Sequence, residues 1–544
     1  MEYCLAPASS LRRVFRDQPF EETGNAPLDL AAAMNGWASG QVVIIAHGRR
    51  LKNVRLKVSE LKSWEIGTKA GPDGHYEVVP GPSIPSEAFK LSRVHYVPIK
   101  SAVAGKTTTP GWYPDPLEPL DADSRFDVEC HAVQPIWVSV RVPLEDGPRH
   151  RSLYHRFYKN FSGMAIATAD VEGVGTVSQS LELKLRVFKF RLPKHRILRI
   201  WTMLDGSWND FYNWMTPMEK FRALERAAFL LAGYGITPTA IHPPKDESTS
   251  PNLDYYESFY KRILELGVSH LQIARDSWPV IVKNGWEDIS YYYFGSEWPR
   301  EENSENALKI RKVMESIPLA KAAVAGPEPD DYLKGIVKVW IYRSDFPLDS
   351  LKERVKIGDE AQWYVCCGPE KPYANLQLDS EQIDPRVLGW QLFQYGLTGF
   401  YYWRATQIGH NDANTAGSNP EEKWPNRPWC PATSDVPYSP NDGLLIYPGP
   451  NGQPWSSIRL ENLRDGADDY DYLCILRNYV EKLKKAELAP ILVERAENAL
   501  RVNPEVSACL TEYTKDPGVL ERERRRICAY IEEARVALGE IWPA

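Results

Sequence analysis

The residues whose types and spacing suit chemistry lie in Ser290-Tyr-Tyr-Tyr-Phe-Gly-Ser-Glu-Trp-Pro299. Tyr291 to Phe294 have the bulk and β-propensity of a short strand buried on both faces, and Gly295 lets the chain leave it. Glu297 follows at once, so a carboxyl group stands at the exit of an aromatic strand; the plainer alternative is a solvated loop carboxylate. Other kinds of site are missing from the sequence. It has no phosphate loop, no His-Glu-x-x-His and no Gly-x-Ser-x-Gly, and Gly173-Val-Gly175 precedes a strand-like run where a dinucleotide fingerprint needs a helix. What remains is the chemistry of carboxylates and aromatic side chains.

Positioning such a carboxylate takes a strand, a loop and a helix. After Trp298 and Pro299 a helix-period segment runs through Ala307, Ile310, Met314 and Ile317, completing one βα unit. In a (β/α)8 barrel the loops after the strands hold the active site. The alternation starts at Pro193: Ile197 to Leu204 is a nearly continuous apolar run ending at Asp205, Glu219 to Leu231 is helical, and Gly235 to His242 reads as another strand. Val337 to Ile341, Gln362 to Cys366 and Thr398 to Trp403 are further strands, the last preceded by a helix around Asp384 to Tyr395. About 260 residues of this alternation suit a barrel better than a doubly wound sheet.

Upstream, period-two runs at Gln41 to Ala46, Val54 to Val58, Ile136 to Val142 and Leu181 to Phe190 point to an all-β sandwich. Pro114-Asp-Pro-Leu-Glu-Pro119 reads as a connecting loop, since proline cannot sit in a central strand. The long Asn-, Gly- and Pro-rich loop from Arg404 to Asn441, with Trp424 and Trp429, reads as a lid. From Ile458 the chain turns helical, with Leu463, Ala467, Tyr470 and Cys474 on one stripe, and a last helix starts at the cap Asp516-Pro517 and runs to about Gly539. The expected class is multidomain, α/β plus all-β: a β-sandwich over 1–193, a catalytic (β/α)8 barrel over 194–480 and a C-terminal helical segment over 481–544.

The 544 residues are too many for one compact core, and 43% hydrophobic with 25% charged residues marks an ordinary globular chain. A net charge of -7 without a long basic run argues against a nucleic-acid partner; the cluster Arg522 to Arg526, broken by Glu523, reads as a solvated helix face. The 8 cysteines are scattered with no C-x-x-C pair, which disfavours a zinc site and a dense disulfide framework, and the adjacent Cys366 and Cys367 read as ordinary strand residues. The start Met-Glu-Tyr-Cys has no basic n-region, and no long apolar run occurs, so neither a signal peptide nor a transmembrane helix is expected. Location stays open, with the cytoplasm favoured, because a chain trimmed of its signal would start the same way. Oligomeric state is not legible.

Several segments in order resemble a known family: the sandwich, Asp115-Pro-Leu, Trp137-x-x-Val140, the strand ending in a Glu, Val339-Trp-Ile, Gln362-Trp-Tyr, Lys371-Pro-Tyr-Ala-Asn375, Thr398 to Trp403, Asp442-Gly-Leu-Leu-Ile-Tyr-Pro-Gly449 and Ser457 to Tyr470. Together they are similar to glycoside hydrolase family 123. The resemblance implies a sandwich, a barrel and C-terminal helices, and a β-N-acetylgalactosaminidase acting on GalNAc-containing glycans by substrate-assisted retention. In that mechanism the sugar's acetamido oxygen attacks the anomeric carbon, an Asp holds the acetamide and the adjacent Glu is acid and then base, with no metal or organic cofactor.

The positions matching the Asp-Glu pair are Ser296 and Glu297. Glu297 agrees with the pattern as the proton donor; Ser296 departs from it, because a serine brings no charge to a developing cation. Another carboxylate, with Asp205, Asp276 and Asp412 as loose candidates, would then supply the charge. The resemblance also implies sugar contacts at Trp340, Trp363, Tyr364 and Trp403 on strand ends, Tyr373 and Asn375 in a loop, and His242 at the mouth. Asp442, Arg459, Glu461, Arg464 and Asp465 read as a salt-bridge and capping network at a helix entry. Two other readings stay open, a glycosidase on a different sugar and a non-catalytic sugar-binding protein.

Overall fold

The computed structural model describes the chain except residues 1, 22–23, 25, 71–75, 100–108, 144–157, 205, 207, 213, 243, 245–251, 297–299, 327–330, 347–348, 408–441 and 541–544; at residue 296 it describes the backbone alone. The expected order of sandwich, barrel and C-terminal helices is what is observed.

The sandwich packs two sheets. One orders Tyr3–Ser9, Trp37–Ala46, Val133–Arg141, Phe89–Ile99 and Gly111–Pro119; the other is built around the long hairpin Tyr158–Val171 and Gly175–Arg191, with Leu51–Val58 and Leu28–Met34 on its flanks. Alternate residues fill the space between them: Val42 and Ile44 face Ala165, Ala167, Leu183 and Leu185 in one buried cluster. The opposite face of Gln41 to Ala46 is covered as well, since Val43 and Ile45 pack with Ala6, Ala8 and Val14. A strand buried on both faces loses its polar alternation.

The segment Pro114 to Pro119 is a strand, not a connecting loop. It pairs with Phe89–Ile99 on one side and with Pro454–Ser457 on the other. Pro114 and Pro116 are two apart, so their missing N–H groups fall on the same side of the strand and leave the other ladder intact.

The barrel strands are β1 (Arg199–Thr202), β2 (Ile236–Pro238), β3 (Leu271–Gln272), β4 (Ser290–Ser296), β5 (Lys321–Ala325), β6 (Val337–Arg343), β7 (Glu360–Val365) and β8 (Gly399–Tyr402). All neighbours are parallel, β8 pairs with β1, and a single bridge between Thr239 and Gln272 joins the β2 and β3 edges. Trp201, Tyr291, Ala323, Val339, Ile341, Tyr364 and Tyr401 face the interior; Ile200, Trp340, Trp363 and Phe400 face the helix layer.

One helix, Ile458–Lys485, ties the parts together and runs through position 480. Ser457 caps it by accepting from Leu460 N–H. Its polar residues are buried and matched. Arg464 pairs with Glu461 and Asp465 and lies 4.2 Å over the Trp37 ring of the sandwich; Asp469 takes Arg386 and Arg524; Asp468 takes Arg196. Arg524 is therefore buried, contrary to the solvated face expected for Arg522 to Arg526: Asp469, Trp37 and Ala31 draw it into the junction. Helix Asp384–Gln394 crosses the long helix so closely that a Cβ on Gly389 would lie 2.1 Å from the Gly466 carbonyl, so glycine is required there. Among the described residues no helix is long and apolar enough to cross a membrane.

Candidate functional site

The barrel interior is stacked in layers. At its N-terminal end Glu360 accepts from Tyr291 and pairs with Arg199 at 2.7 Å and Lys321 at 2.8 Å. His270 lies 4.8 Å from the Tyr291 ring, and burial, aided by Arg199 and Lys321, pushes its pKa down to about 3, so it is neutral. Above comes an aromatic layer. The Trp201 ring meets Tyr401 at 4.3 Å and Tyr293 at 5.2 Å, Tyr293 and Tyr401 are 5.2 Å apart, and Trp201 Nε1 donates to Gln362 at 2.8 Å.

β4 and β8 stand opposite each other in the ring, and Tyr293 and Tyr401 span the distance between them. Two positions beyond Tyr401 comes Trp403, while β4 carries an irregularity after Tyr293, where Gly295 has φ +97 and Ser296 falls in register with Ala325. Among the described residues, a Cβ on Gly295 would meet nothing within 4 Å. This is the C-terminal mouth, where loops carry function in barrels of this kind.

Ser296 is the last residue of β4, in register with Ala325 of β5. Glu297, Asp205 and Asp412, and the bulk of the expected lid with Trp424 and Trp429, lie outside the described residues. Trp403 is half-buried at the mouth, with the Arg404 guanidinium 5.0 Å from its ring. Tyr364 lies in the inner cluster below it. His242 is exposed beyond β2, its Nδ1 2.5 Å from the Tyr256 hydroxyl, whose pKa is raised by burial and by nearby Asp276. Tyr373 is half-buried in the loop after β7.

Three expected sugar contacts do not fit their places. Trp340 is fully buried on the outer face of β6, where Nε1 donates to Asp359 at 3.0 Å and Arg354 covers the ring at 5.1 Å. Trp363 is fully buried on the outer face of β7, 5.5 Å from the Tyr395 ring. Side chains alternate along a strand, and both tryptophans carry the outward parity. Asn375 is buried with its amide taken up: Nδ2 donates to the Cys366 and Pro369 carbonyls at 3.1 and 2.9 Å, and Oδ1 accepts from Leu376 N–H. Its amide holds the loop after β7.

The mouth also contains residues for which no role at the site is expected from the sequence. Arg343, on the inward parity of β6, forms a fork with Asp345 at 2.7 and 3.0 Å. Cys366 and Cys367 lie just past the end of β7, with sulfurs 3.8 Å apart. Asp442, expected in the helix-entry network, is the more consequential of them. Its Oδ1 accepts from Trp403 Nε1 at 2.9 Å and from the Tyr402 hydroxyl at 3.0 Å, and burial holds its pKa above the usual carboxylate range. The other members of its expected network behave as expected at the helix entry, while Asp442 is at the mouth.

A strap of chain puts it there. Thr406 bridges to Leu444, Gln407 N–H donates to Gly443 O, and Leu445 and Ile446 N–H both donate to Ala405 O. Gly443, with φ +78, passes so near Trp403 that a Cβ would lie 2.8 Å from its ring. Arg459 then fastens the strap: its guanidinium donates to the Leu444 and Leu376 carbonyls and to Asp115 of the sandwich. Tyr447 donates to the same Asp115 carboxylate at 2.7 Å.

A cavity of about 230 Å³ lies elsewhere, between sandwich strands and the C-terminal helices. Its arginines 386, 524 and 525 are each paired with a carboxylate, as befits a packed junction.

Residues 241–476 match the family model of a glycoside hydrolase catalytic domain, and the class this supports is glycoside hydrolase. The family is glycoside hydrolase 123, which the chain resembles. A solved family 123 glycoside hydrolase from Clostridium perfringens shares the fold, with a TM-score of 0.67 and 14% identity over 99% of this chain and 100% of that one. Two further structures align far more weakly. They are Spo0M from Bacillus subtilis (TM-score 0.16, 8% identity, 34% of this chain and 49% of that one) and a GH20 exo-β-N-acetylglucosaminidase from Vibrio harveyi (TM-score 0.17, 6% identity, 69% and 83%). Neither carries an argument about fold. No curated protein sequence matches the chain.

Proposed function

We propose that this protein is an exo-acting glycosidase that releases terminal β-linked N-acetylgalactosamine with retention. The substrate's acetamido oxygen attacks the anomeric carbon, and Glu297 gives a proton to the departing oxygen and then takes one from the attacking water. The observation that carries the reading is residue 296 at the end of β4, across an aromatic-floored mouth from Trp403. Trp403, Tyr364, Tyr373 and His242 are the side chains we assign to the sugar; an aromatic face covers the C–H face of a pyranose. The route uses no metal or organic cofactor. The similar protein from Clostridium perfringens is described in terms of glycolipid glycan hydrolysis, so glycolipid glycans ending in this sugar are the natural substrates to offer.

Ser296 sharpens the test, since it can hydrogen-bond the acetamide and yet brings no charge. Release of nitrophenol from the β-glycosides of GalNAc, GlcNAc and galactose is the experiment. The GalNAc glycoside is expected to react fastest. Equal turnover of the galactoside would favour a glycosidase that has dropped the acetamido requirement, and binding without any release would favour a sugar-binding protein.

A further inference from the structure

We propose that Asp442 is a substrate-binding carboxylate: it accepts hydrogen bonds from ring hydroxyls of the sugar lying against Trp403 and sets which sugar the mouth admits. This rests on the glycosidase reading above. A group that selects among sugars must be fixed before the ligand arrives, so that binding does not have to order it. Asp442 meets this condition. Trp403 Nε1 and the Tyr402 hydroxyl both end on Oδ1, which orients the carboxylate and leaves Oδ2 able to take further donors. Gly443 N–H donates to the Tyr402 hydroxyl at 2.9 Å, tying the strap to the same tyrosine.

Arg459 acts on the Asp442 charge only from beyond ion-pair distance. Among the described residues no cation lies within ion-pair distance of Asp442, whereas Asp345 at the same mouth is occupied by Arg343. A partly buried carboxylate beside a tryptophan at the barrel mouth joins the two elements of sugar recognition, an apolar wall for one face of the ring and an acceptor for its edge. Asp442 stands beside Trp403, which follows β8, and β8 lies across the barrel from β4, so its proposed part is to read the ring hydroxyls.

The test compares wild type with Asp442→Asn and Asp442→Ala on nitrophenyl hexosaminides that differ in one hydroxyl: the 4-epimers GalNAc and GlcNAc and the 3-deoxy, 4-deoxy and 6-deoxy forms. Asp442→Asn is expected to lose about a hundredfold in kcat/KM, and the deoxy substrate lacking the bound hydroxyl to lose little more in that variant, since both changes remove one interaction. Unchanged kcat/KM and an unchanged epimer ratio in Asp442→Asn, with wild type active, overturn this proposal alone. Should the variants fail to fold, the wild-type deoxy series decides: a rate loss confined to one or two positions supports the proposal, and equal rates at all positions overturn it. If wild type hydrolyses nothing, titration with free GalNAc and its deoxy forms followed by NMR takes over. Binding that depends on one hydroxyl and on Asp442 supports the role without the chemistry, and no binding overturns both readings.

Discussion

Asp115 and Arg459 are 344 positions apart in the chain, and Asp115 Oδ2 lies 2.9 Å from Arg459 Nη2 in the fold. Both side chains are buried, and the same arginine holds the carbonyl of Leu444, two residues after Asp442. The sandwich thereby fixes a carboxylate at the barrel mouth. Asp115→Asn strands a buried guanidinium, so we expect a stability loss of roughly 3–5 kcal/mol in denaturant titration, with a raised KM at temperatures where the variant is folded.

The parity of the barrel tryptophans gives a second expectation. Trp403→Ala should lower kcat/KM about tenfold or more through lost stacking at the mouth. Trp340→Phe should leave KM unchanged and cost stability instead, because its Nε1 bond to Asp359 lies in the helix layer. A raised KM in Trp340→Phe with normal stability would contradict the placement.

For the proton donor, Glu297→Gln keeps the shape and removes the proton. A loss of roughly a hundredfold or more is expected on poor leaving groups and a smaller one on activated aryl glycosides. Near-wild-type rates on both classes would exclude Glu297 as the acid.

Position 296 can be tested from both directions. A thiazoline imitating the bicyclic intermediate should inhibit if the substrate's acetamide takes part. Ser296→Asp should raise the GalNAc rate if charge at that position is what the site lacks, because one preorganised carboxylate beside a developing cation is worth about 2–4 kcal/mol. No inhibition, together with turnover of sugars lacking the acetamido group, would refute the acetamide route.

Glu532 makes stability depend on pH. Burial raises its pKa to about 8, despite the bond it accepts from Lys189 N–H. The folded state therefore holds a proton that the unfolded chain releases at its ordinary carboxylate pKa. This contribution is full below that pKa and falls as pH rises toward about 8. Glu532→Gln should flatten the decline by up to about 1.4 kcal/mol per pH unit, as read from urea titrations between the two values.

Much of the fold was legible because period-two runs and helical stripes are local signals: Leu181 to Phe190 is a sandwich strand, and Asp516 caps the last helix. The faces of barrel strands were not. With both sides of β6 buried there is no polar alternation to show which way Trp340 points, and an irregularity in the pairing near Val337 and Val339 puts Val337 outward and Val339 inward. Asp442 was recognisable as part of a motif, yet its partner Trp403 is 39 residues away across a long loop, beyond any helix-capping rule. Pro114 and Pro116 misled for a related reason, since whether a missing N–H matters depends on which neighbour that side of the strand faces.

The aromatic layer of Trp201, Tyr293 and Tyr401, backed by the Glu360 cluster, closes the barrel beneath the mouth. Among the described residues, the mouth is thus a well closed at its base. On the glycosidase reading, no exit leads through the floor, so a released sugar departs on the side from which the next chain end arrives. Product inhibition and departure, more than access, become natural limits on turnover in a chamber of this shape.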